Sequence, residues 1–569
     1  MIAYDFEVFM YDWLVVFKDI VNGDKTVIVN DKEKLEQFYE DNKDELFIGF
    51  NNSRYDNFIF KGIMLGHDPY YLSDVIINKT NNIWRLADWN SIDINSYDVS
   101  YNVGFTSLKE NEAYLGISID ETPIPFDLDR ELDDEELAMV TEYCKRDVNA
   151  TELVFHKTIG VFETKLYLIS IFGLDRSFMN KSNNAIIEAV LGAKRKYRGA
   201  NDEFDGFDFS QLNLKIDKYK EVIEYFEKPI ENYKGFGLSM DVCGVPHRFG
   251  IGGIHGARPN FRYDGELLLI DVRSYYPSMM ITYDWFARSI PKEGKELYAQ
   301  MLRDRLERKV DDDLLDESYK LILNTTYGSY KYKWNNLFDP RQANNITIGG
   351  QVMIVDLLER LEPYITLVQS NTDGVIVIPN EGKRSKIEDI VAEWEARTGL
   401  EMEIEVGTRI VQKDVNNYVM KMADGSVEAV GGQVAQFNSK RLRRTNAVVD
   451  KALVNHLLYD KNIEEYIHSN NDLLDYQIIS KVGKTFDEVF LETADGERTP
   501  LNFVNRSFAG HEPARLYKKK DGANPHLVAS HPENTMVWNG DVKDLDISMI
   551  DKQWYIDQAY NRLKQYEGV

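Results

Sequence analysis

The segment LLLIDVRSYYPS at residues 267–278 is the most informative stretch of this 569-residue chain. Its four apolar residues predict a buried strand that carries Asp271 at its end, and the aromatic and proline residues behind it predict a turn. An acidic residue at the end of a strand, followed by a turn, is common in proteins. The remaining motifs therefore decide whether Asp271 is structural or functional.

Composition indicates a globular protein, because 43% of the residues are apolar and 12% are aromatic. No apolar run approaches the roughly 18 residues of a membrane span, and the first residues lack the pattern of a secretory signal. Only two cysteines occur, Cys144 and Cys243, and neither has a partner at zinc-ligand spacing. We expect a cytoplasmic protein that does not bind membranes.

The formal net charge of −27 argues against a nucleic-acid-binding protein, since such proteins usually carry a basic surface that replaces phosphate counterions. Net charge does not describe a local groove, however. Local basic clusters occur at residues 303–309, 331–333, 440–444 and 515–520. Each of them is also typical of a solvated surface, and charge alone favours an acidic soluble enzyme.

Four carboxylates and a tyrosine form a first set of candidate functional residues. Asp5 and Glu7 lie two apart in an apolar strand, so both point to one face. Asp56 follows a strand and a turn, where the next helix would begin. Tyr143 and Asp147 lie four apart on a predicted helix and share one side of it. Taken singly, each group is also typical of a solvated sheet face, a helix cap or a surface acid.

The secondary structure predicted around these residues is a compact α/β arrangement. Strands are expected at residues 2–9, 13–17 and 25–29, followed by a helix at 31–39 and a strand at 46–50. Three strands and a crossover helix suit a ribonuclease-H-like sheet. A longer helix is expected from about residue 133 to 159, because its acidic start suits a helix N-terminus.

The second half of the chain is expected to contain buried strands at residues 267–270 and 365–369. Two helices are predicted between them, at residues 292–309 and 314–327. Beyond about residue 437 we expect short helices mixed with loops.

The segment KLILNTTYG, residues 320–328, places Lys320, Asn324 and Tyr327 on one helical face. An apolar stripe at this spacing would normally be core, but this one is polar. The segment QSNTDG, residues 369–374, lies between two apolar strands and carries Asp373. Asn-Thr-Asp-Gly is also an ordinary hairpin turn.

The first set of residues resembles the three motifs of DEDD-superfamily exonucleases of the tyrosine subtype. By that resemblance, Asp5, Glu7, Asp56 and Asp147 hold two metal ions, one activating a water and the other stabilising the departing 3′ oxygen. Tyr143 would orient the attacking water. The segment at residues 106–109 resembles the region that contacts the single-stranded primer end.

The second set resembles motifs A, B and C of family B DNA polymerases, in the family's order. Motif A is Asp-x2-Ser-Leu-Tyr-Pro-Ser, motif B is Lys-x3-Asn-Ser-x-Tyr-Gly, and motif C is Tyr-x-Asp-Thr-Asp-Ser. This chain departs from them at Tyr275, Thr325, Gln369, Asn371 and Gly374. Asp373 keeps the place of the second aspartate of motif C, which the family uses as a metal ligand.

The resemblance implies phosphoryl transfer assisted by two Mg²⁺ ions, or Mn²⁺ in their place, bound by Asp271, Asp373 and the backbone carbonyl of Val272. Tyr276 would pack under the sugar and exclude a 2′-hydroxyl. Arg303 and Arg308 are alternatives for the triphosphate contact. The residues expected to bind the incoming deoxynucleotide are Ser274, Tyr275, Tyr276, Arg305, Lys309, Lys320, Asn324 and Tyr327.

Two further segments are candidates for contact with primer–template DNA. Gly252 and Gly253, in FGIGGIHG, resemble the Tyr-x-Gly-Gly linker between the exonuclease and polymerase halves, although a plain flexible turn fits equally well. Lys413 and Tyr418 stand where the family has a Lys-x-Tyr motif, at a longer spacing.

The implied fold is a multidomain combination of α/β and α+β structure, with a ribonuclease-H-like exonuclease followed by a right-hand polymerase. The expected parts are the exonuclease (residues 1–185), the linker and first part of the palm (186–290), the fingers (291–330), the second part of the palm (331–436) and the thumb (437–569). Expected partners are primer–template DNA, deoxynucleotides and phage replication proteins.

The chain resembles phage replicative enzymes in its small size, which implies the host cytoplasm as its location. Lys320 lies only 49 positions after Asp271, and Asp373 lies 53 positions after Lys320. The protein-primed branch of the family has insertions in these intervals, so we expect priming from a nucleic-acid primer.

Three alternatives stay open at this point. The chain could be a nuclease whose polymerase half has decayed to DNA binding, which the altered motif C favours. It could be a non-catalytic replisome scaffold, which the acidic surface favours. It could also polymerise without a separate primer.

Overall fold

The computed structural model describes residues 1–104, 106–122, 124–197, 202–231, 235–307, 313–439 and 442–568. The strands are β1 (Ile2–Val8), β2 (Trp13–Asp19), β3 (Lys25–Val29), β4 (Phe47–Gly49), β5 (Ser96–Asp98), β6 (Leu238–Val242), β7 (Val245–Gly250), β8 (Gly253–Ala257), β9 (Phe261–Val272), β10 (Ile365–Ser370), β11 (Gly374–Pro379), β12 (Met402–Asp414), β13 (Asn417–Met422), β14 (Val427–Val430), β15 (Ile478–Lys481), β16 (Glu488–Thr493), β17 (Arg498–Pro500), β18 (Val504–Ala509), β19 (Ala514–Lys519), β20 (His526–Leu527) and β21 (Thr535–Val537).

The helices are α1 (Lys32–Asn42), α2 (Asp56–Met64), α3 (Pro69–Asn78), α4 (Ser100–Val103), α5 (Leu108–Leu115), α6 (Asp134–Lys157), α7 (Ile159–Ile171), α8 (Asn183–Val190), α9 (Glu221–Phe226), α10 (Tyr275–Thr282), α11 (Lys292–Glu307), α12 (Asp313–Ser329), α13 (Pro340–Leu361), α14 (Arg384–Thr398), α15 (Ala447–Tyr459), α16 (Ile463–Ser469), α17 (Leu473–Tyr476) and α18 (Lys552–Glu567). Helices and strands are mixed throughout, so the predicted multidomain α/β and α+β class is confirmed.

The chain divides into two compact units, and neither is continuous in sequence. Unit 1 contains Met1–Leu166, Lys440–Ala447 and Asn471–Trp554. Unit 2 contains Tyr167–Ser439, Val448–Asn470 and Tyr555–Val569. The five-part division expected from the sequence remains a prediction.

Unit 1 contains a five-stranded sheet of order β3-β2-β1-β4-β5. Strands β1, β2 and β3 pair antiparallel, whereas β4 pairs parallel with both β1 and β5. The sheet core is rich in aromatic rings, including those of Tyr4, Phe6, Phe17 and Phe60. The expected strands and the crossover helix at the N-terminus of the chain are therefore confirmed.

Helix α6 also matches its prediction. Asp133 caps it by accepting a hydrogen bond from the backbone N–H of Glu136, whose side chain bonds back to the backbone of Asp133. This reciprocal pair satisfies two of the N–H groups that a helix start leaves without intrahelical partners.

The expectation of short helices and loops after residue 437 is wrong for much of that segment. Two further sheets of unit 1 form there, of order β15-β18-β21 and β17-β16-β19-β20. Strand β18 could not be recognised from the sequence, because its middle residues Asn505, Arg506 and Ser507 are polar and yet buried. Buried polar residues remove the apolar alternation by which a strand is recognised.

Unit 2 is built on a nine-stranded sheet of order β14-β13-β12-β9-β11-β10-β8-β7-β6. Strand β9 lies inside this sheet and pairs antiparallel with β11 on one side and β12 on the other. Helix α13 is buried along almost its whole length, and α11 and α12 are the two helices expected before it. This arrangement fixes the C-terminal end of β9, where Asp271 lies.

Within the described ranges, no helix has both the length and the apolar character needed to cross a membrane.

Candidate active sites

Unit 1 contains a cluster of carboxylates that begins on strand β1. Asp5 and Glu7 share one face of that strand, and ligand atoms of Asp5, Glu7 and Cys144 lie within 4.8 Å of one another. Glu7 is only 6% exposed, although a glutamate is charged at neutral pH in water. Oxygen atoms packed this closely are the donor set of a hard divalent cation.

Asp56 and Asp147 complete the cluster from two helices. Asp56 is the first residue of α2, and its carboxylate accepts a hydrogen bond from the backbone N–H of Phe6 at 3.0 Å. Asp147 lies on α6 and is 7% exposed. Both carboxylates are close enough to Asp5 and Glu7 to repel their negative charge. The structure thus brings together the four carboxylates singled out in the sequence.

Burial dominates the proton affinity of this cluster. Loss of hydration, followed by repulsion from neighbouring carboxylates, raises the pKa of Asp5 and Glu7 well above their ordinary values. Burial raises the pKa of Asp56 to about 7. Burial also raises the pKa of Asp147, although Lys109 and Tyr143 partly offset that rise. Such repulsion is relieved when a cation binds among the carboxylates.

Lys109 has a position that its sequence motif did not indicate. Its ammonium group lies 2.7 Å from Asp147 and 3.3 Å from Glu112, and 4.6 Å from the ring centre of Tyr143. The sequence suggested a contact with single-stranded DNA here, whereas the structure places Lys109 against a carboxylate of the cluster. The i,i+3 spacing of Lys109 and Glu112 on α5 indicates their own ion pair, but no sequence signal indicated the contact with Asp147.

Two further buried groups at this site were also missed. Glu112 is 2% exposed, one of its oxygens has no hydrogen-bond partner, and burial raises its pKa to about 8. Cys144 donates a hydrogen bond to the backbone oxygen of Asp5 at 3.3 Å. Neither position belongs to the motif, so no sequence pattern marked Glu112 or Cys144.

Unit 2 brings Asp271 and Asp373 together at the end of two paired strands. Asp271 on β9 stands opposite Gly374 on β11, and the backbone N–H of Val272 donates to the carbonyl of Asp373 at 2.9 Å. Both aspartates are exposed and therefore accessible to a ligand. Partial loss of hydration, with the negative charge of Asp373 and of Glu428 added, raises the pKa of Asp271 to about 7.

A cavity of about 490 Å³ opens beside these carboxylates. Ser274 lies at its edge with φ +48°, a left-handed conformation that costs a non-glycine residue roughly 1–2 kcal/mol. This turn directs the chain from β9 into α10. The residues lining the cavity are Val272, Ser274, Tyr275, Tyr276, Pro277, Leu323, Asn324, Thr372 and Asp373.

The predicted cationic residues of the nucleotide site are held by acidic residues of α12. Arg305 makes an ion pair with Asp316 at 3.0 Å and reaches Ser274 Oγ at 3.4 Å. Lys320 pairs with Glu317 at 3.4 Å and is not part of the cavity lining. Lys309, the partner predicted for Arg305, lies outside the described residues.

The three tyrosines of the predicted nucleotide site differ in their surroundings. Tyr275 is buried, and its hydroxyl donates to the carbonyl of Gly350 at 2.8 Å. Its side chain therefore packs in the core. Tyr276 lines the cavity, and its ring centre lies 4.5 Å from that of Tyr327. The substitution of Tyr275 for the family's leucine is thus accommodated by packing.

The two glycines predicted to approach DNA lie at a tight hairpin. Gly250 pairs with Gly253 across the turn between β7 and β8. A Cβ atom at Gly253 would lie 2.5 Å from Oγ1 of Thr372, whereas Gly252 has open space around it. Gly253 therefore permits close packing against the turn that carries Asp373.

Lys413 and Tyr418 occupy the hairpin of β12 and β13. Lys413 donates to Gln565 at 2.9 Å. Tyr418 is 6% exposed and pairs across the strands with Gln412. Burial, followed by the charges of Glu428 and Asp271, raises the pKa of Tyr418, so this ring lies near the carboxylates of unit 2.

Comparison with known proteins gives limited similarity. No family model matches the chain. The chain is 22% identical over 223 residues to DNA polymerase 1 of Saccharolobus solfataricus, a match covering 38% of this chain. It spans about a quarter of the length of that relative, 25%. Among solved structures it is similar to the family B DNA polymerase of the hyperthermophilic archaeon Pyrobaculum calidifontis, with a TM-score of 0.44 and 15% identity, covering 100% of this chain and 78% of that chain.

Proposed function

We propose that this protein is a template-directed DNA polymerase of family B with a 3′→5′ proofreading exonuclease. Unit 2 would carry polymerisation and unit 1 would carry excision. The partial similarity to a protein named as a DNA polymerase agrees with this assignment.

The observation that carries the proposal is the pairing of β9 with β11. It joins Asp271 and Asp373, which are separated by 102 positions in the chain, at the edge of a cavity that also contains Tyr276 and Asn324. These four residues come from three separate sequence motifs. Tyr276, Asn324 and Asp373 line this cavity, and Asp271 directly precedes Val272 of its lining. This convergence supports a nucleotide-binding active site over three unrelated structural features.

The donor atoms of both sites fit Mg²⁺, which prefers carboxylate and carbonyl oxygens. In unit 2, Asp271, Asp373 and the carbonyl of Val272 would hold it; in unit 1, Asp5, Glu7, Asp56 and Asp147 would do so. When bound, such ions lower the pKa of a hydroxyl or water nucleophile and neutralise the leaving group. The raised pKa of Asp271 agrees with a site that is completed by a cation.

The residues of unit 2 would position the nucleotide around this centre. Arg305 would exchange its ion pair with Asp316 for a phosphate oxygen, since guanidinium groups bind phosphate strongly. Lys320 would likewise leave Glu317. Tyr276, packed on Tyr327, would support the sugar and disfavour a 2′-hydroxyl.

In unit 1, Tyr143 would orient the water that attacks the terminal phosphodiester. Lys109 would hold Asp147 in place and stabilise negative charge that develops on the phosphate. The buried surroundings strengthen these interactions, because electrostatic attraction grows as the local dielectric falls.

The finer assignment is a phage-type replicative enzyme that extends a nucleic-acid primer with deoxynucleotides in the host cytoplasm. The short intervals between Asp271, Lys320 and Asp373 support this branch. Adding template and deoxynucleotides without primer tests it, and product formation in that reaction would instead indicate self-priming.

The decisive experiment compares Asp373→Ala with Asp147→Ala in the full chain. Asp373→Ala should abolish primer extension and keep excision of a single-stranded 3′ end. Asp147→Ala should do the reverse. If a protein lacking excision through Asp5→Ala and Glu7→Ala adds no nucleotide, while wild type degrades primers, the protein is a nuclease with an inactive polymerase half.

A further inference from the structure

A buried histidine of unit 2 connects two strands that are not neighbours in the sheet. His247 lies on β7 and is 3% exposed, and its ring nitrogen Nε2 lies 2.6 Å from Oγ of Ser370, the last residue of β10. Strand β8 lies between β7 and β10. Since neighbouring strands are about 4.7–4.9 Å apart, this side-chain hydrogen bond joins strands that are too far apart for backbone pairing.

Gly256 leaves the space that this hydrogen bond needs. It lies on β8 and is the pairing partner of both His247 and Ser370. A Cβ atom at residue 256 would lie 2.3 Å from Nε2 of His247, which is much closer than van der Waals contact. The imidazole ring therefore lies across the backbone of Gly256, a close approach that glycine permits because it has no side chain.

The hydrogen-bond partners of the ring determine where its proton lies. Nδ1 of His247 lies 2.7 Å from the backbone carbonyl of Val245, and a carbonyl oxygen can only accept, so Nδ1 carries the proton. Burial lowers the pKa of His247 below its ordinary value, which favours the neutral ring. Nε2 is then an acceptor, and the hydroxyl of Ser370 donates to it. Both ring nitrogens are therefore used.

Ser370 connects this contact to the carboxylates of unit 2. It is fully buried and pairs with Val375 on β11. Asp373 follows three positions later, in a turn that is closed by the backbone N–H of Asn371, which donates to the carbonyl of Gly374 at 2.9 Å. A shift of the end of β10 would therefore move this turn and Asp373 with it.

The hairpin of β7 and β8 is itself held by a buried amide. Gln351 of α13 is fully buried; it donates to the carbonyl of Gly250 at 2.7 Å and accepts from the backbone N–H of the same residue at 3.2 Å. At the start of β8, a Cβ atom at Gly253 would lie 2.5 Å from Oγ1 of Thr372 in the adjacent turn. The hairpin is thus fixed to α13 and packs against the turn, and His247 joins it to the end of β10.

We propose that His247 is a positioning residue for primer extension. Through Ser370, it holds Asp373 at the distance from Asp271 at which both carboxylates bind the same cations. The inference rests on the proposed polymerase function. The lining of the nucleotide cavity does not include His247. Loss of its hydrogen bond should therefore slow the chemical step and leave nucleotide affinity nearly unchanged, because misplacement by about 1 Å can cost about a hundredfold in rate.

The first test measures single-nucleotide addition by the full chain under single-turnover conditions. His247→Phe keeps a planar ring but accepts no hydrogen bond; it should reduce the maximal rate about tenfold and change the apparent Kd of the nucleotide by less than about twofold. His247→Gln supplies an amide oxygen that can accept from Ser370, so it should recover most of the rate. His526→Phe, at an exposed histidine of unit 1, is the matched control. Excision should be unchanged in all three variants.

The space at Gly256 provides the second test. Gly256→Ala should slow nucleotide addition by a similar factor, because the added methyl group displaces the imidazole ring. In a His247→Ala background the same substitution should cause no further loss, since the shortened side chain leaves room for the methyl group. Gly432→Ala, where the added atom meets nothing within 4 Å, is the control. Circular dichroism shows that each variant is folded. Equal loss from Gly256→Ala in both backgrounds would contradict the proposal.

Nuclear magnetic resonance of protein with isotope-labelled histidine observes the hydrogen bond without catalysis. The signals of His247, identified by their absence in His247→Phe, should show a protonated Nδ1 and an unprotonated Nε2. Ser370→Ala should shift the Nε2 signal, and an unshifted signal would overturn the proposal. Extension at the wild-type rate by folded His247→Phe would overturn it as well. Absence of primer extension by the wild type would instead reject the proposed function, and this role with it.

Discussion

Gly374 stands opposite Asp271 across strands β9 and β11, and a Cβ atom at residue 374 would lie 1.5 Å from Oδ1 of Asp271. The same atom would lie 2.8 Å from the backbone carbonyl of Ile270. The resembled family has serine at this position, so the departure is explained by the approach of the Asp271 carboxylate. A side chain there would have to displace the Asp271 carboxylate or the backbone at Ile270.

Gly374→Ala should therefore displace the Asp271 carboxylate and reduce primer extension by about tenfold or more, since misplacement by about 1 Å can cost about a hundredfold. Excision should be unchanged, because Asp271 lies in unit 2. Single-turnover extension and excision rates measure both effects. Gly160→Ala, where the added atom meets nothing within 4 Å, is the control. Full extension activity of Gly374→Ala would contradict this role of the glycine.

The carboxylate cluster of unit 1 should make the metal-free protein less stable as pH rises. A carboxyl with a raised pKa binds its proton more tightly in the folded state than in the unfolded state. The contribution of such a carboxyl to stability is therefore greatest when the pH is below its pKa in the unfolded state, about 4. For Asp56, this contribution decreases until the pH exceeds the pKa in the folded state, about 7. Mg²⁺ should raise the unfolding temperature more at about pH 8, which is above the pKa in both states, than at about pH 5.

Glu7→Gln separates this repulsion from general effects of metal. In the absence of metal at about pH 8, it should raise the unfolding temperature by a few degrees, because one buried charge is removed. It should also reduce the stabilisation by Mg²⁺. Differential scanning calorimetry with and without a chelator measures both. A lower unfolding temperature of metal-free Glu7→Gln would show that the carboxylates do not repel one another.

Lys109→Met should reduce excision by about tenfold to a hundredfold and leave extension intact. Asp147 would lose its cationic partner at 2.7 Å and remain buried beside Glu112, and an unpaired buried charge is strongly unfavourable. Lys109→Arg keeps the charge and should retain part of the activity. Excision rates on a single-stranded oligonucleotide distinguish the two variants. Equal loss of extension would instead indicate a folding defect.

Arg506 should be needed to hold α5, the helix that carries Lys109. This guanidinium is fully buried in β18 and donates to the carbonyls of Ala113 and Ile117 at 3.1 and 2.7 Å, and to Gly540 at 2.7 Å. Arg506→Met should lower the free energy of unfolding by roughly 3–5 kcal/mol, because these carbonyls lose their donors.

The same variant should lose excision at temperatures where it is still folded. Denaturant unfolding measures the stability, and excision assays below the unfolding transition measure the effect on α5. Arg498→Met, at a side chain 52% exposed, is the matched control. Excision at the wild-type rate in the folded Arg506→Met protein would show that α5 is held by its other contacts.

Much of the fold was predictable where local periodicity agrees with the tertiary structure. The strands at residues 2–8 and 13–19 and the helix at 134–157 follow directly from apolar alternation and from acidic caps. The sheets after residue 478 were not predictable, because β18 buries Asn505, Arg506 and Ser507. Arg506 and Ser507 donate to carbonyl groups distant in sequence, which no local pattern contains.

The sequence by itself determined that Asp5 and Glu7 share one face of a strand and that Asp147 lies on a helix, since strand alternation and helical spacing are local properties. Only the tertiary structure decided that Lys109 contacts Asp147, that Gly374 lies against the Asp271 carboxylate, and that residues 471–554 belong to unit 1. These relationships depend on distances between atoms of separate elements. Packing of the whole unit sets those distances, and the order of residues along one element does not.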